Sequence, residues 1–362
     1  MPVPKKNKLV GLDIGSHSIK LVEIDDTKKG MVLKNFGIIG LPKDAVVEGT
    51  VREMEVVASA LKNLYKNLKI KNKNVAIAIS GFSVIVKKIN IAKREEAELE
   101  ASIHDEAEQY IPFDISDVNL DYEILSGKEE ISEIRDGEES DEESVMDVML
   151  VAAKKDIIEE YVSLIHLAGL NPVLVDVDAF AVQNAFEMSM KDVSGCYALV
   201  NIGAEELGIN AVKDGVSIFT RDSAYGGSQI TEAIMSEFDV SFEEAENIKL
   251  GGAKVDDKKE VLEEIFTTVV SGWVQEIKRA LDFLSTTYPD ESIEKIILSG
   301  GACRLPGFKK FLQMETDIPV MELKPFADLQ INEKVFDPRY LSYMAPQAAV
   351  AVGLALRSID DK

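Results

Sequence analysis

The chain has 362 residues, 46% of them apolar, enough for two or three domains around large cores. Its 40 basic and 64 acidic side chains leave a formal charge of −24, which disfavours nucleic-acid backbones and anionic membrane surfaces. Two cysteines, Cys196 and Cys303, exclude a disulfide framework, and no run approaches the roughly 18 apolar residues of a membrane span, so the expectation is a protein of the reducing cytoplasm.

Residues 9–14 and 18–24 read as strands joined by Gly15-Ser16-His17, and 31–41 as a third strand. Residues 53–68 have helical spacing, with Val56, Val57, Ala60, Leu61 and Leu64 on one face. A short apolar strand, 75–79, ends at Ser80-Gly81. Strand 83–91, a charged helix over 94–110 and paired strands 118–125 and 145–153 follow. Between the paired strands, 129–143 holds nine acids and one arginine, a composition expected to stay solvated and mobile. Residues 156–168 form an amphipathic helix closed by Gly169, then come strand 172–177 and helix 179–188, with Asp178 placed to cap the helix. The second half reads as strands 196–202, 207–212 and 216–220, helices 228–238, 242–250 and 261–285, strand 293–298, helix 308–314 and an apolar helix 346–358. This order indicates mixed α/β lobes.

An internal similarity organises the chain. GLDIGSHSIKLVEI (11–24) and LVNIGAEELGINAV (199–212) align at an offset of 188 residues, pairing Ile14 with Ile202 and Gly15 with Gly203. Two such halves suggest a duplicated fold with a cleft between lobes.

Three glycine turns carry the candidate chemistry. In the first, Asp13, Gly15, Ser16, Ser18 and Lys20 offer backbone N–H groups, two hydroxyls and a cation to phosphate oxygens, and Asp13 can hold the water shell of Mg²⁺. The second, Asn201-Ile202-Gly203-Ala204-Glu205, can face the same phosphates. The third is Gly300-Gly301-Ala302, where paired glycines let backbone approach a flat ligand. A plain hairpin is the alternative for either of the first two turns taken alone. His17 sits in the first turn and can touch a nucleotide. His104 and His166 lie on helices, and Trp273 reads as core. No metal-binding spacing of histidine or cysteine is visible.

These segments, with ILSGGACRLPGF, DVDAFAVQNAF and APQAAVAVGLAL, resemble the two phosphate motifs, the adenosine motif and the connecting helices of the actin, Hsp70 and sugar-kinase ATPases. Within that superfamily the chain is similar to the type IV pilus assembly PilM family, relatives of the division protein FtsA. GLDIGSHSIKLVE and FTRDSAYGGSQIT (219–231) are close to the family pattern. The resemblance covers nearly the whole chain apart from 129–143.

It implies an actin-like, ribonuclease H-like duplicated fold, α/β and two-lobed, that binds ATP and Mg²⁺. A small α+β domain, residues 83–171, is inserted in the first lobe. The first lobe is residues 1–82, completed by 172–192 and 345–362, and the second is 193–344. The resemblance places Asp13, Gly15, Ser16, Ser18 and Lys20 at the first phosphate loop, Gly203, Ala204 and Glu205 at the second, and Gly300, Gly301 and Ala302 along adenosine. Gly227 falls in the FTRDSAYGGSQIT stretch. Glu246 and Lys249 match the helix beside adenine and ribose, although charges three apart are also common on solvated helices. Asp178 falls where relatives keep a polar residue near the attacking water. At position 201 the ATPases carry Asp; Asn brings no charge and takes no proton, so at most slow hydrolysis is expected.

The family also implies a cytoplasmic scaffold, peripheral at the inner membrane, that binds the N-terminal peptide of a PilN-like membrane protein under nucleotide control. Ile89, Ile91, Tyr110, Ile111 and Phe113 are the expected docking residues, with the insert's own core as their alternative use. Other pilus proteins, a motor ATPase or a platform protein, are further possible partners. An FtsA-like filament protein would need a membrane helix after LALRSIDDK, and a small-molecule kinase would need a catalytic Asp for which the cleft motifs offer no convincing candidate.

Overall fold

The computed structural model describes residues 8–126, 145–190, 193–253 and 258–359. The acidic segment 129–143, expected to be a solvated loop, lies outside them. The chain opens with an antiparallel meander of β1 (Val10–Ile14), β2 (Ser18–Thr27) and β3 (Gly30–Gly40), then a small hairpin of β4 (Val46–Val47) and β5 (Thr50–Val51). Helix α1 (Met54–Leu68) forms because Val57, Ala58, Leu61, Leu64 and Tyr65 recur every three or four residues and bury one stripe. It ends at Lys69, whose backbone is left-handed, and feeds β6 (Asn74–Ile79), parallel to β1.

The insert follows: β7 (Val84–Ala92), α2 (Glu96–Ala107), β8 (Val118–Ser126) and β9 (Val145–Lys154), forming an antiparallel sheet in the order β7-β9-β8. Its core holds Ile89, Ile91, Leu99, Ile103, Ile111 and Val148. Helix α3 (Lys155–Leu167), assigned to the insert by its position in the sequence, instead buries Tyr161, Leu164 and Ile165 in the first-lobe core beside residues of α1. Strand β10 (Asn171–Val177) completes a sheet of order β10-β6-β1-β2-β3, and α4 (Asp178–Ser189) leads out of the lobe.

The second lobe repeats this plan. Strands β11 (Cys196–Ile202), β12 (Leu207–Lys213) and β13 (Val216–Ser223) form the meander. Helices α5 (Ser228–Phe238), α6 (Phe242–Lys249) and α7 (Lys259–Thr287) precede β14 (Ile293–Ser299). Then come α8 (Phe308–Thr316), β15 (Val320–Glu322), α9 (Pro338–Met344) and α10 (Ala349–Leu356). The sheet order is β13-β12-β11-β14-β15, with β14 and β15 parallel to β11 as β6 and β10 are to β1. The duplication extends to the turns: the Gly15 N–H donates to the Ser18 carbonyl at 3.2 Å and the Gly203 N–H to the Glu206 carbonyl at 2.8 Å, the same bond at the same offset.

Helices α4 and α10 join the lobes. Every residue from Ala349 to Ala355 is buried, in a core shared by Val22, Ala181 and Phe186 from one side and Tyr197, Leu199 and Ile297 from the other. The final helix is shorter than its apolar run because Ala345–Ala348 is a tighter 3₁₀ turn set by Pro346.

Candidate functional site

A cleft of about 1080 Å³ lies between the lobes. It opens beyond the carboxyl ends of the parallel strands, where open α/β sheets commonly place ligands. The volume is at the upper end for a small-molecule pocket.

The first glycine turn lines one wall. Asp13 is the penultimate residue of β1, opposite Lys20 of β2, and the two side chains form an ion pair at 3.3 Å. Ser18 is buried, and among the described residues its hydroxyl has no hydrogen-bond partner. A buried hydroxyl left unpaired costs stability unless something else satisfies it. Burial holds the His17 imidazole below its ordinary range, with Glu246 opposing that shift and Lys249 and Lys20 adding to it, so the ring is neutral near pH 7.

The second turn faces the first. One oxygen of Glu205 accepts from the Ser16 hydroxyl at 2.8 Å and from the Glu48 backbone N–H at 2.7 Å, so a second-lobe carboxylate bridges to the first lobe and its β4–β5 hairpin. Gly226 and Gly227 press against this turn: the Gly227 N–H donates to the Gly203 carbonyl at 3.1 Å and the Ser228 N–H to that of Ala204 at 2.8 Å. A Cβ on Gly226 would lie 2.3 Å from the Ala204 oxygen, which is why that position is glycine.

The third turn follows β14. Gly300 has φ +87°, and its N–H donates to the Pro346 carbonyl at 2.8 Å. Beside Gly301, Arg304 stacks on Tyr343 at 4.3 Å and donates to Gln347 at 2.9 Å. Across the cleft Lys249 bonds Thr231 at 2.8 Å and pairs with Glu246, which also accepts from the Thr231 hydroxyl. Glu246 and Lys249 are therefore fixed cleft groups and not a solvated pair.

At the root of the cleft, Asp178 meets Asn201, Glu206 and Asp222. Asp178 is the first residue of α4 and not its cap; Val177 holds the cap position and the Asp178 side chain makes no capping bond. Strand β10 runs straight into the helix, which leaves the carboxylate facing the cleft. Burial, with Asp13 and Asp222 nearby, pushes its pKa up to about 8. Glu206 is raised well above the ordinary range by burial and by Asp222 and Asp178, and Asp222 is raised by burial. These two also tie the second lobe to the base of the insert: Ser80 donates to Glu206 at 3.1 Å and the Gly81 N–H to Asp222 at 3.2 Å. Asn201 accepts from Ser299 at 3.2 Å.

The cleft thus brings together Asp13, Gly15, Ser16, His17, Ser18, Lys20, Asp178, Asn201, Gly203, Ala204, Glu205, Gly227, Glu246, Lys249, Gly300, Gly301 and Ala302. The sequence reading missed Glu206, Asp222 and Arg304. The repeat offset held a clue, because Glu206 takes the place of Ser18 in the second turn. The expected docking residues lie outside the cleft, in the insert, three of them buried and two half-buried. Ile89, Ile91 and Ile111 are 4%, 6% and 6% exposed inside the insert core. Tyr110 and Phe113 pack on that core under Lys87 and Lys154. The apolar face of β7 that suggested a groove is satisfied by α2 and the insert's own strands. His104 and His166 are exposed, and Trp273 is fully buried.

The description of the type IV pilus assembly protein PilM family matches residues 11–359. In a solved PilM-PilN type IV pilus biogenesis complex, one chain is 28% identical, with a TM-score of 0.83 over 98% of this chain and 99% of that one. Ethanolamine utilization protein EutJ from Carboxydothermus hydrogenoformans shares the fold at 17% identity and a TM-score of 0.56, covering 98% of this chain and 90% of that one. The EutJ of Escherichia coli (strain K12) is 25% identical over 192 residues, 53% of this chain. The match spans 57%, little more than half, of that curated relative's length. The duplicated, two-lobed architecture is the actin-like one.

Proposed function

The chain belongs to the type IV pilus assembly PilM family, and from that premise we propose that it is a cytoplasmic scaffold whose lobes close on ATP and whose insert region engages a PilN-like membrane protein. The observation that carries the nucleotide reading is the pair of matching glycine turns, Gly15 and Gly203, facing each other across one cleft with Lys20, Lys249 and an unpaired Ser18 hydroxyl beside them. The likeness to a chain of a PilM-PilN complex supports the partner class.

The residues fit Mg²⁺ held through water. Among the described residues no three side chains converge to ligate a metal directly, and Mg²⁺ keeps much of its hydration shell beside phosphates. Asp13 is the carboxylate placed to hold that shell. The metal would neutralise phosphate charge; Lys20, Ser16 and Ser18 orient the phosphates, and Glu246 and Lys249 hold the ribose end.

Thermal melting tests the reading. At a hundredfold excess over the dissociation constant, ATP with Mg²⁺ is expected to add about 2.7 kcal/mol, and Asp13→Ala is expected to remove the Mg²⁺-dependent part. No shift in the parent protein, together with no heat of binding, would sink nucleotide control.

Hydrolysis is expected to be slow, because Asn201 supplies neither charge nor a proton acceptor. Steady-state phosphate release should rise in Asn201→Asp; a fast parent enzyme would overturn that assignment. The partner peptide is expected at the seam of first lobe and insert, where Phe82 is 66% exposed. Peptide titration with and without nucleotide reads the coupling, which can be no larger than the difference in affinity between the two lobe arrangements.

A further inference from the structure

The charge of −24 is unevenly placed. Residues 56–94 contain no acidic side chain in a chain that has 64 of them. Five lysines, Lys62, Lys66, Lys69, Lys71 and Lys73, fall in the middle of that stretch, and all five are exposed. Lys62, Lys66 and Lys69 are spaced four and three residues apart and so stand in one row along the end of α1. Lys71 and Lys73 continue from it in the loop to β6.

The topology gathers more charge at the same place. Strand β6 starts where β1 starts, with Val75 beside Val10, and the antiparallel β2 ends there, with Val10 beside Glu23. The β2–β3 turn therefore presents Lys28 and Lys29, both exposed, at the same end of the sheet. Among the described residues none of these seven lysines forms an ion pair. The acids at this end are Glu23, buried against Lys34 and Asn35, and the exposed Asp25, Asp26, Asp328 and Glu333. The last two flank Gln330, which pairs with Val32 and donates to the Lys29 carbonyl, and Asp25 lies 3.8 Å from Lys34.

A structural explanation covers part of the pattern. Cations near a helix C-terminus are favoured by the helix dipole, which accounts for Lys66 in the last turn of α1. It does not account for Lys69, Lys71 and Lys73, at and beyond the helix end, or for Lys28 and Lys29 on another turn.

We propose that this lysine-rich end of the first lobe docks on an anionic lipid bilayer. All seven cations are lysines. A lysine is a hydrated point charge on a flexible stem, suited to a diffuse negative surface; an arginine fork is what reads a carboxylate or phosphate of fixed geometry. The row runs over a helix end and two loops and includes no exposed large apolar side chain that would anchor a peptide. Clusters of four to eight basic residues carry affinity for anionic headgroups. The nucleotide cleft lies at the opposite ends of β1 and β6, so the docked molecule holds its cleft away from the bilayer. The whole-chain charge limits this to a weak, orienting contact. It adds to any recruitment by a membrane partner through effective concentration.

The experiment is flotation of the purified full chain with vesicles of equimolar phosphatidylglycerol and phosphatidylcholine, against pure phosphatidylcholine, at low and high salt. Binding is expected only to the anionic vesicles and only at low salt, since exposed charges are screened within about 10 Å at 0.1 M salt. The variant Lys66→Glu, Lys69→Glu, Lys71→Glu, Lys73→Glu is expected to bind roughly tenfold more weakly or worse. A control, Lys43→Glu, Lys309→Glu, Lys310→Glu, Lys324→Glu, makes the same change in net charge at exposed sites elsewhere and is expected to keep most of the binding. Equal loss in both variants would mean that only net charge matters and would overturn the proposal. So would a parent protein that ignores anionic vesicles, or one that binds soluble poly-glutamate while ignoring them, which would make the end a protein-docking surface. Circular dichroism of the variants confirms that the substitutions leave the fold in place.

Discussion

Gly353→Val is expected to unfold the protein, or to lower its unfolding free energy by more than about 4 kcal/mol, the range reserved for severe core damage. Glycine in a helix interior normally costs about 1 kcal/mol against alanine, so adding a side chain would ordinarily help α10. Here a Cβ would stand 1.7 Å from the Ala181 carbonyl oxygen and 2.5 Å from its carbon. Those are backbone atoms of α4, and no rotamer moves them aside. The two helices would have to separate, and α10 sits in the core that receives side chains from both sheets. One substitution thus loosens both lobes and the cleft between them. Gly37→Ala is the control, because its Cβ would meet only the methyl ends of Leu64 and Leu68, which can swing away. Urea midpoints of the two variants decide the matter: a Gly353→Val midpoint equal to that of the parent would show that α4 and α10 are not packed this closely.

The repeat and the glycine turns were legible because they need a residue type at a position. Only glycine tolerates the φ of +87° at Gly300 or the approach of backbone at Gly226, so the sequence marks such turns wherever they fall. The longer strands and helices were legible through their apolar period. The β4–β5 hairpin, β15 and α9 were not, because strands of two or three residues and a helix of only two turns show too few repeats of their periods. Periodicity also reports that a face is covered without saying by what. Ile89 and Ile91 alternate as a buried strand face should, a pattern that fits either use expected of them, and the fold places both in the insert's own core. Helix α3 shows the same gap, since its apolar stripe fits either neighbouring core. Glu206 and Asp222 were hidden for a different reason. Acidic side chains fill this sequence, and only the fold reveals which of them are driven out of water together.

Those carboxylates give the protein an unusual pH dependence: in the absence of nucleotide it is expected to lose stability as pH rises from roughly 4 to 8, over a range where many proteins are near their optimum. A carboxylate whose folded pKa is raised binds its proton more tightly in the folded state than in the unfolded chain. Its stabilising contribution is fully present below the unfolded pKa and is lost as pH climbs through the folded one. Asp178, pushed up to about 8 by burial and by Asp13 and Asp222, sets the upper limit of the window. Glu206 and Asp222 shift in the same direction and steepen the slope. Each group held protonated in the fold and ionised when unfolded contributes on the order of 1.4 kcal/mol per pH unit. Asp178→Asn keeps the shape and removes the charge. The variant should therefore melt higher than the parent, by a margin that grows between about pH 5 and pH 8 and levels off above. Melting curves of both proteins across that range read the margin directly. Because the depressed His17 contributes the opposite slope, the margin and not the parent's own curve is diagnostic: a margin that does not change with pH would mean that Asp178 is ionised in the fold and that water, or Lys20, reaches it more freely than the cleft geometry indicates.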